Sequence, residues 1–435
     1  MGIHKVCVLG LGYIGLPTAS TLASHGVAVL GVDVNPRILE TLKSGDIHIH
    51  EQGLREAYRS ARDSGKFELA AQPAEADSFL IAVPTPFFPG KFGDYQGHAY
   101  KLADMGAVIS AAESIVPFLR KGNLVLLEST SPPRTTIDLL APILRRSGLE
   151  PGRDFHLAYS PERVLPGQIL RELIENARVV GGITPESARA AASLYALFVK
   201  GEIIETDSTT AEFVKLMENS YRDTNIAIAN EFSHLAARFG VDAWKAIALA
   251  NRHPRVQILD PGPGVGGHCI SVDPWFLVEA APDLTPLIAT ARSVNDSQPQ
   301  FVVELIERSV GALAGKKIAA LGLAYKANVD DVRESPAAEV VHLLENAGAK
   351  VKAWEPNKPE ASIPGVTMAE SLEAALSDAQ AIVLLVPHTE FVRLQPRDLI
   401  SVTKARLVVD CVNGLNPDEW QAAGFRVVKL GGVDH

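Results

Sequence analysis

A loose internal repeat constrains this chain more than any other feature. Lys5-Val-Cys-Val-Leu-Gly-Leu-Gly near the start is echoed by Lys317-Ile-Ala-Ala-Leu-Gly-Leu-Ala, each a strand-length apolar run ending in a glycine turn before a helical pattern. The runs that follow keep the same order. Val27-Ala-Val-Leu-Gly-Val-Asp-Val-Asn-Pro matches Ala349-Lys-Val-Lys-Ala-Trp-Glu-Pro-Asn, and Ala76-Asp-Ser-Phe-Leu-Ile-Ala-Val-Pro-Thr-Pro matches Ala379-Gln-Ala-Ile-Val-Leu-Leu-Val-Pro-His-Thr. A fourth pair is Leu124-Val-Leu-Leu-Glu-Ser-Thr and Leu407-Val-Val-Asp-Cys-Val-Asn. Parallel neighbours need long crossovers, so strands separated by helix-length segments predict βαβ units in a parallel sheet covered on both faces, once in each half.

The middle differs in kind. From about Thr209 to Phe239 the chain has no Gly or Pro and carries a helical apolar pattern, enough for one helix of about eight turns, ended by Gly240 in the C′ role. A shorter helix from about Asp242 to Ala250, a loop over Asn251 to Asp273 and a helix from about Pro286 to Gly311 follow. The expected fold is α/β: two doubly wound, Rossmann-like domains joined by a central helical block with one long helix. The expected domains are 1–205, 206–312 and 313–435, a division in keeping with about three compact units for 435 residues. A helical block between two sheet domains also predicts a homodimer formed through the central helix.

Charge narrows the partners. Lys and Arg number 41 against 51 Asp and Glu, a net charge of −10, and no basic run exceeds a pair, so the footprint for nucleic acid is missing. A local cationic pocket for an anionic small molecule stays compatible with that balance. Cys7, Cys269 and Cys411 are too few and too scattered for a disulfide framework or a Cys-x-x-Cys metal site, which reads as a reducing, cytoplasmic setting, and the 12 His show no metal-ligand spacing. Val6 to Val32 lacks Asp, Glu, Lys and Arg, but its glycines, Pro17, His25 and hydroxyls fit a buried strand, turn and helix better than a membrane span.

Four motifs carry chemistry. Gly10-Leu-Gly12-Tyr-Ile-Gly15 follows a strand and opens a helix, so that Gly10 allows the tight turn, Gly12 lets backbone approach a pyrophosphate and Gly15 lets the helix pack closely. Asp33 ends the second strand, where a carboxylate accepts from a ribose 2′-hydroxyl and repels a 2′-phosphate; NAD is expected over NADP, with Arg37 free to stack on adenine. The second copy, Gly322-Leu-Ala324-Tyr325-Lys326, lacks the later glycines; its Tyr and Lys suit a nucleotide-sugar's phosphates or sugar, or else a solvated turn. Pro261-Gly-Pro-Gly-Val-Gly-Gly-His-Cys269-Ile-Ser-Val-Asp273 delivers one Cys from a glycine loop. Were the next segment helical, Cys269 would meet a helix N-terminus that favours the thiolate, with Asp273 one turn on. Cys7 and Cys411 sit in apolar strand patterns and read as buried small hydrophobes. In the long helix Lys215, Asn219 and Arg222 share one face, with Phe213, Leu216, Met217 and Tyr221 on others; such a stripe is ordinarily solvated surface, while an amide among cations on an apolar-rich helix keeps a binding role open. Ser160-Pro-Glu162-Arg163-Val-Leu-Pro-Gly and Asn251-Arg-His253-Pro-Arg255 add polar groups in proline-bounded loops.

Together these residues resemble the nucleotide-sugar 6-dehydrogenase family, the four-electron enzymes that oxidise UDP-glucose, UDP-N-acetylglucosamine or UDP-N-acetylmannosamine to uronic acids. GLGYIGLPTA, VDVNP, PTP, ESTSPPRTT, SPERVLPG, KLMENSYRDTNIAIANE, PGPGVGGHCISVDPWF and YKANVDDVRESPA occur in the family's order across nearly the whole chain. The resemblance implies Cys269 as nucleophile, Lys215 as acid/base, Asp273 aiding water and proton handling, and Glu162 as a carboxylate near the reacting carbon. It implies NAD contacts from Tyr13, Ile14, Asp33, Thr85, Thr130 and Arg333. It implies a sugar-nucleotide site lined by Arg163, Val164, Lys215, Asn219, Arg222, His253, Arg255, Gly266, Tyr325 and Lys326.

Within the family SPERVLPG, NRHPRV and GPGVGGHCISVDPWF are most similar to the UDP-N-acetyl-D-mannosamine branch of bacterial surface-polysaccharide synthesis, with UDP-N-acetylglucosamine and UDP-glucose as alternative substrates. Pro166 stands where the glucose enzymes resemble one another in a glutamate. Two rivals compete: a two-electron hydroxyacid dehydrogenase, which needs neither the Cys nor the second sheet domain, and a silent NAD or nucleotide-sugar sensor, against which the complete Lys, Cys and Asp set argues.

Overall fold

The computed structural model describes residues 3–49, 51–267 and 270–432. The chain divides into two units, Met1–Glu218 with Trp275–Asp283, and Asn219–Pro274 with Leu284–His435. The division falls inside one continuous helix, Ser208–Phe239, which starts and stops within a residue of the expected bounds. Gly240 follows it at a φ of 66°, the left-handed conformation that a C′ residue takes.

The first unit is built on an eight-stranded sheet. Its strands are β1 (Lys5–Leu9), β2 (Ala28–Val32), β3 (Phe67–Ala70) and β4 (Ser78–Ile81), then, beyond a separate hairpin of β5 (Phe87–Tyr95) and β6 (His98–Ala103), β7 (Leu124–Leu127), β8 (His156–Tyr159), β9 (Arg178–Gly182) and β10 (Ile203–Asp207). The order is β10-β9-β8-β7-β4-β1-β2-β3. All neighbours run parallel except β8 and β9, which are antiparallel; apolar periodicity encodes which faces are buried and not which way a strand runs. Val6, Val8, Leu80 and Leu126 pack on one face, and Cys7, Leu9, Phe79 and Leu127 on the other, which is why these strands are apolar without interruption.

In the second unit β11 (Lys317–Leu321), β12 (Lys350–Trp354), β13 (Ala381–Leu384), β14 (Leu407–Asp410) and β15 (Arg426–Lys429) form an all-parallel sheet of order β12-β11-β13-β14-β15. The same unit holds the helix Pro286–Val310, packed on the long helix through a buried polar ladder: Arg292 donates to Asp223 Oδ1 at 2.6 Å, Asn295 donates to the same oxygen at 2.8 Å, and Asn230 donates to Asn295 at 3.0 Å. Both sheets reverse direction of strand addition beside their first strand, between β1 and β4 and between β11 and β13. Ligands of open α/β sheets bind at such switch points, beyond the carboxyl ends of the strands. Each glycine turn of the repeat lies there.

Cys7 and Cys411 are fully buried and free, and burial pushes the Cys7 thiol up to about 11, so neither is a nucleophile at neutral pH. The uncharged stretch Val6 to Val32 is strand, turn, helix and strand, and among the described residues no helix is long and apolar enough to cross a membrane.

Candidate functional site

The glycine turn after β1 has the shape its spacing implies. Gly10 has a φ of 90° and donates to Val32 O at 2.8 Å; a Cβ there would stand 2.5 Å from Ala82 O. At Gly15, the first residue of the helix Gly15–Ser24, a Cβ would stand 1.8 Å from Gly10 O. At Gly12 a Cβ would meet nothing within 4 Å. Gly12 is therefore dispensable for packing, and the open space above it at a helix N-terminus is what a pyrophosphate requires. Asp33 accepts from Leu11 N–H at 2.9 Å and Asn35 N–H at 2.8 Å, which fixes the carboxylate while leaving it acceptor capacity for a ribose hydroxyl. Thr85 donates to Thr130 O at 2.8 Å, joining the two threonines across the ends of β4 and β7. Tyr13 and Ile14 are half-buried, and Arg37 is exposed in the helix Pro36–Lys43. These residues fit NAD. Gly12→Ala is expected to raise the KM for NAD by tenfold or more with an unchanged melting temperature, whereas Gly15→Ala is expected to lower the melting temperature itself; equal effects on both quantities would contradict the division of labour.

The loop after β8 brings together a group that the sequence did not connect. Glu162 is buried and accepts from Arg163 N–H at 2.7 Å and from Arg178 Nη2 at 2.5 Å. Arg178 is itself buried, its guanidinium 4.1 Å from the centre of the Tyr195 ring and 3.8 Å from Glu128. Tyr195 donates to Glu128 at 2.6 Å. Burial pushes the Glu128 carboxyl up from 4.5 to about 7, against the pull of Arg178 and with Glu162 adding to the rise. Arg163 is half-buried with Glu218 at 2.8 Å, Val164 is half-buried, and Glu51, far back in sequence, accepts from Gly167 and Ile169 N–H at 2.8 and 2.9 Å to hold the end of the loop. Glu212 in the long helix takes both the N–H and the hydroxyl of Thr136, at 2.8 and 2.6 Å, and so anchors the segment that follows Thr130. None of Arg178, Glu128, Tyr195, Glu51 and Glu212 stands out as a functional residue from sequence alone. The one local signal was a charged residue directly after the four apolar residues of β7.

The helix face carrying Lys215 and Asn219 reverses expectation. Both are buried, only Arg222 is exposed, and the apolar Phe213, Met217 and Tyr221 are 45%, 54% and 64% exposed. The expectation of a solvated polar stripe fails for Lys215 and Asn219, which face protein together with Leu216, while Phe213, Met217 and Tyr221 do not.

In the second unit Asn219 donates to the fully buried Asp273. The helix Asp273–Ala280 begins at Asp273 itself, and 270–272 form a turn, so the helical start expected near Cys269 comes four residues later. Cys269 lies outside the described residues. The glycine loop that leads to it rests on the turn after β11: a Cβ on Gly266 would stand 2.4 Å from Glu334 O, and one on Gly267, at a φ of 83°, 2.8 Å from the Tyr325 ring. Tyr325 and Lys326 are half-buried on that turn. Arg333, expected at the dinucleotide, belongs to this unit and pairs with Asp331 through two bonds of 2.7 and 2.6 Å. His253 and Arg255 are exposed. No group of three His, Cys, Asp or Glu suited to a metal occurs among the described residues.

Comparison with known proteins accounts for both halves. Residues 4–199 match the NAD binding domain of the UDP-glucose/GDP-mannose dehydrogenase family, 209–297 its central domain and 319–417 its UDP binding domain. The chain belongs to the UDP-glucose/GDP-mannose dehydrogenase family. This family member is an NAD-dependent oxidoreductase, and its two glycine turns fall in the matches to the NAD and UDP binding domains respectively. Among its relatives, the UDP-N-acetyl-D-mannosamine dehydrogenase of Methanocaldococcus jannaschii is 45% identical, covering 99% of this chain and 97% of its own. The NDP-N-acetyl-D-galactosaminuronic acid dehydrogenase of Ralstonia solanacearum is 46% identical, covering 94% and 95%. A solved UDP-D-ManNAc dehydrogenase from Pyrococcus horikoshii superposes with a TM-score of 0.90 at 36% identity, covering 99% and 100%.

Proposed function

We propose that this family member oxidises the C6 alcohol of UDP-N-acetyl-D-mannosamine to the uronic acid. The observation that carries the reading is the match along 99% of the chain to relatives of that name, with the proposed lysine, asparagine, cysteine and aspartate all present. The Ralstonia relative supports a second reading, a galactosamine-type 2-acetamido sugar. In both, residues 1–205 hold NAD, 206–312 supply the central helices and 313–435 take the UDP-sugar.

Bound NAD supplies the hydride acceptor for each of two oxidations. Lys215, or a water that it holds, takes the proton of the C6 hydroxyl as the alcohol becomes an aldehyde. Cys269 adds as thiolate to the aldehyde carbon, and loss of the second hydride leaves a thioester that water hydrolyses, returning the thiolate and supplying the second carboxylate oxygen. Asp273, tied to Asn219, handles the proton of that water, and Glu162, fixed by Arg178, faces the reacting carbon. Asp33, Thr85 and Thr130 line the NAD side, with the backbone at Gly12 approaching the pyrophosphate.

The chain acts as a homodimer in the cytoplasm. Phe213, Met217, Tyr221, Ile228, Phe232, Leu235 and Phe239 leave an apolar stripe exposed along the long helix, which supports a second copy as its cover, and the free buried cysteines support a reducing compartment. Sedimentation at the mass of two chains is expected; a monomer at micromolar concentration would refute the dimer.

The reading is tested by counting NADH released per UDP-sugar consumed, with UDP-N-acetylmannosamine, UDP-N-acetylglucosamine, UDP-N-acetylgalactosamine and UDP-glucose offered separately. Two NADH per UDP-N-acetylmannosamine are expected. One NADH would mean a two-electron enzyme, preference for another sugar would replace the substrate, and no turnover on any would favour a sensor.

A further inference from the structure

In the second sheet the acid at the end of the second strand is not open toward a ligand. Glu355, directly after β12, corresponds to Asp33 in the repeat and makes the corresponding backbone contacts, accepting from Leu323 and Ala324 N–H at 2.7 and 2.9 Å and from Asn357 N–H at 3.1 Å. It also meets an imidazole. His388 stands where the first copy has Thr85, is 1% exposed, and lies with Nε2 3.0 Å from Glu355 Oε2.

The other ring nitrogen fixes the tautomer. Asn328 N–H lies 2.9 Å from His388 Nδ1, and a backbone N–H only donates, so Nδ1 accepts and the ring proton sits on Nε2, donated to Glu355. Asn328 holds a φ of 60° on the loop that leaves Lys326, and its own Oδ1 accepts from Thr389 N–H at 2.9 Å. The loop closes on itself through Tyr325 N–H to Asp331 O at 3.0 Å. The turn bearing Tyr325 and Lys326 is thus held from behind at both ends, by Glu355 before it and by His388 after it.

We propose that His388 is a positioning residue for nucleotide-sugar binding, acting through Asn328 to set the turn that presents Tyr325 and Lys326. The proposal rests on the reading that this turn holds the UDP-sugar. In the first copy Thr85 spends its hydroxyl on Thr130 O, so the carboxylate of Asp33 keeps the flank that a ribose uses, whereas in the second copy the imidazole occupies the equivalent flank. One repeated pattern then serves two ligands: an acid presented to a dinucleotide, and an acid and imidazole locked together to stiffen a loop.

The Asn357 side-chain amide also meets Nδ1, at 2.8 Å, and two substitutions separate the contacts of the two ring nitrogens. His388→Asn places an oxygen near the position of Nδ1 and keeps the acceptor for Asn328, while losing the donor to Glu355, which retains three backbone donors. His388→Gln keeps a donor for Glu355 and leaves Asn328 N–H and the Asn357 side-chain amide without their shared acceptor. The variants are compared by KM for UDP-sugar, KM for NAD and calorimetric affinity for UDP alone, beside Lys326→Ala. His388→Gln is expected to raise the KM for UDP-sugar and weaken UDP about tenfold, with the KM for NAD unchanged and His388→Asn near wild type. Equal effects of the two variants, or a parallel rise in the KM for NAD, overturn the proposal. If Lys326→Ala weakens UDP and His388→Gln does not, His388 has no such role while the reading of the turn stands. If Lys326→Ala leaves UDP affinity unchanged, the reading of the turn fails and takes the proposal with it. Should His388→Gln not fold, Asn328→Gly, at an exposed position whose φ glycine accepts, keeps the N–H to His388 but removes the reciprocal bond to Thr389 and frees the backbone of the turn, and is expected to weaken UDP in the same selective way; wild-type affinity there would mean that the turn need not be set and overturns the proposal.

Discussion

Arg178→Met is expected to cost the protein about 3–5 kcal/mol of stability at pH 7, the size of effect seen when one partner of a buried ion pair is removed. Methionine fills the volume of the arginine stem, so the loss reports charge and hydrogen bonding and not a cavity. Without the guanidinium, Glu162 loses its 2.5 Å partner and Glu128 the cation 3.8 Å away, in a site where all three side chains are buried. Arg178→Lys is expected to fall between, because it keeps a charge but loses the forked contact and the stacking on Tyr195.

The sign of the pH dependence follows from Glu128. Glu128 has a folded pKa of about 7 against an ordinary 4.5, so the folded state holds its proton longer than the unfolded chain and this group's contribution is lost as pH rises from about 4.5 through 7. Arg178 pulls the Glu128 carboxyl down, so its loss costs least where Glu128 is protonated, and the deficit of Arg178→Met is expected to shrink as pH falls toward 5. Glu128→Gln is expected to remove the slope in that window. Urea midpoints at pH 5 and 7.5 decide the matter: a variant as stable as wild type, or a deficit independent of pH, would mean that the pairing is not what holds Glu162.

Cys269→Ser is expected to lower steady-state turnover on the preferred UDP-sugar by on the order of 10³ or more and to cut the yield from two NADH to at most one. A thiolate captures the aldehyde and later leaves from an acyl carbon; a serine hydroxyl in the same place is a far weaker nucleophile at neutral pH and its ester hydrolyses without the same ease. Aldehyde, trapped by hydrazine or semicarbazide, is the product to look for after a single turnover. Two NADH per sugar from the serine variant would remove the thioester step and leave the second oxidation to an aldehyde hydrate.

Much of this protein is legible in one dimension. The repeat gives both sheets, because an apolar run, a glycine turn and a helical pattern each follow from local physics, and the 32-residue helix is visible from the absence of Gly and Pro alone. The roles of Gly10, Gly12 and Gly15 are legible for the same reason: a turn, a gap and a close contact lie within six residues of one another. Long-range polar pairing is not. Nothing near residue 178 announces that its guanidinium meets Glu162 and Glu128, and nothing near residue 388 announces a bond to Asn328, since 16, 50 and 60 residues separate these partners and each pair meets only when strands are laid side by side.

The long helix marks the boundary most clearly. Its existence was set by composition, but which of its faces is buried was not, since Lys215 and Asn219 turned inward while Phe213, Met217 and Tyr221 turned outward. Periodicity specifies that two faces differ. Only the tertiary structure decides which one meets protein, because the partners that satisfy a buried amide, such as Asp273 for Asn219, come from chain far away. The sequence by itself determined two doubly wound sheets, a glycine turn shaped for NAD and a second turn no longer shaped for it. The tertiary structure decided how buried charges are shared, which acid stays open to a ligand and which is closed by an imidazole, because those outcomes depend on strand order and on the desolvation of groups that local sequence does not bring together.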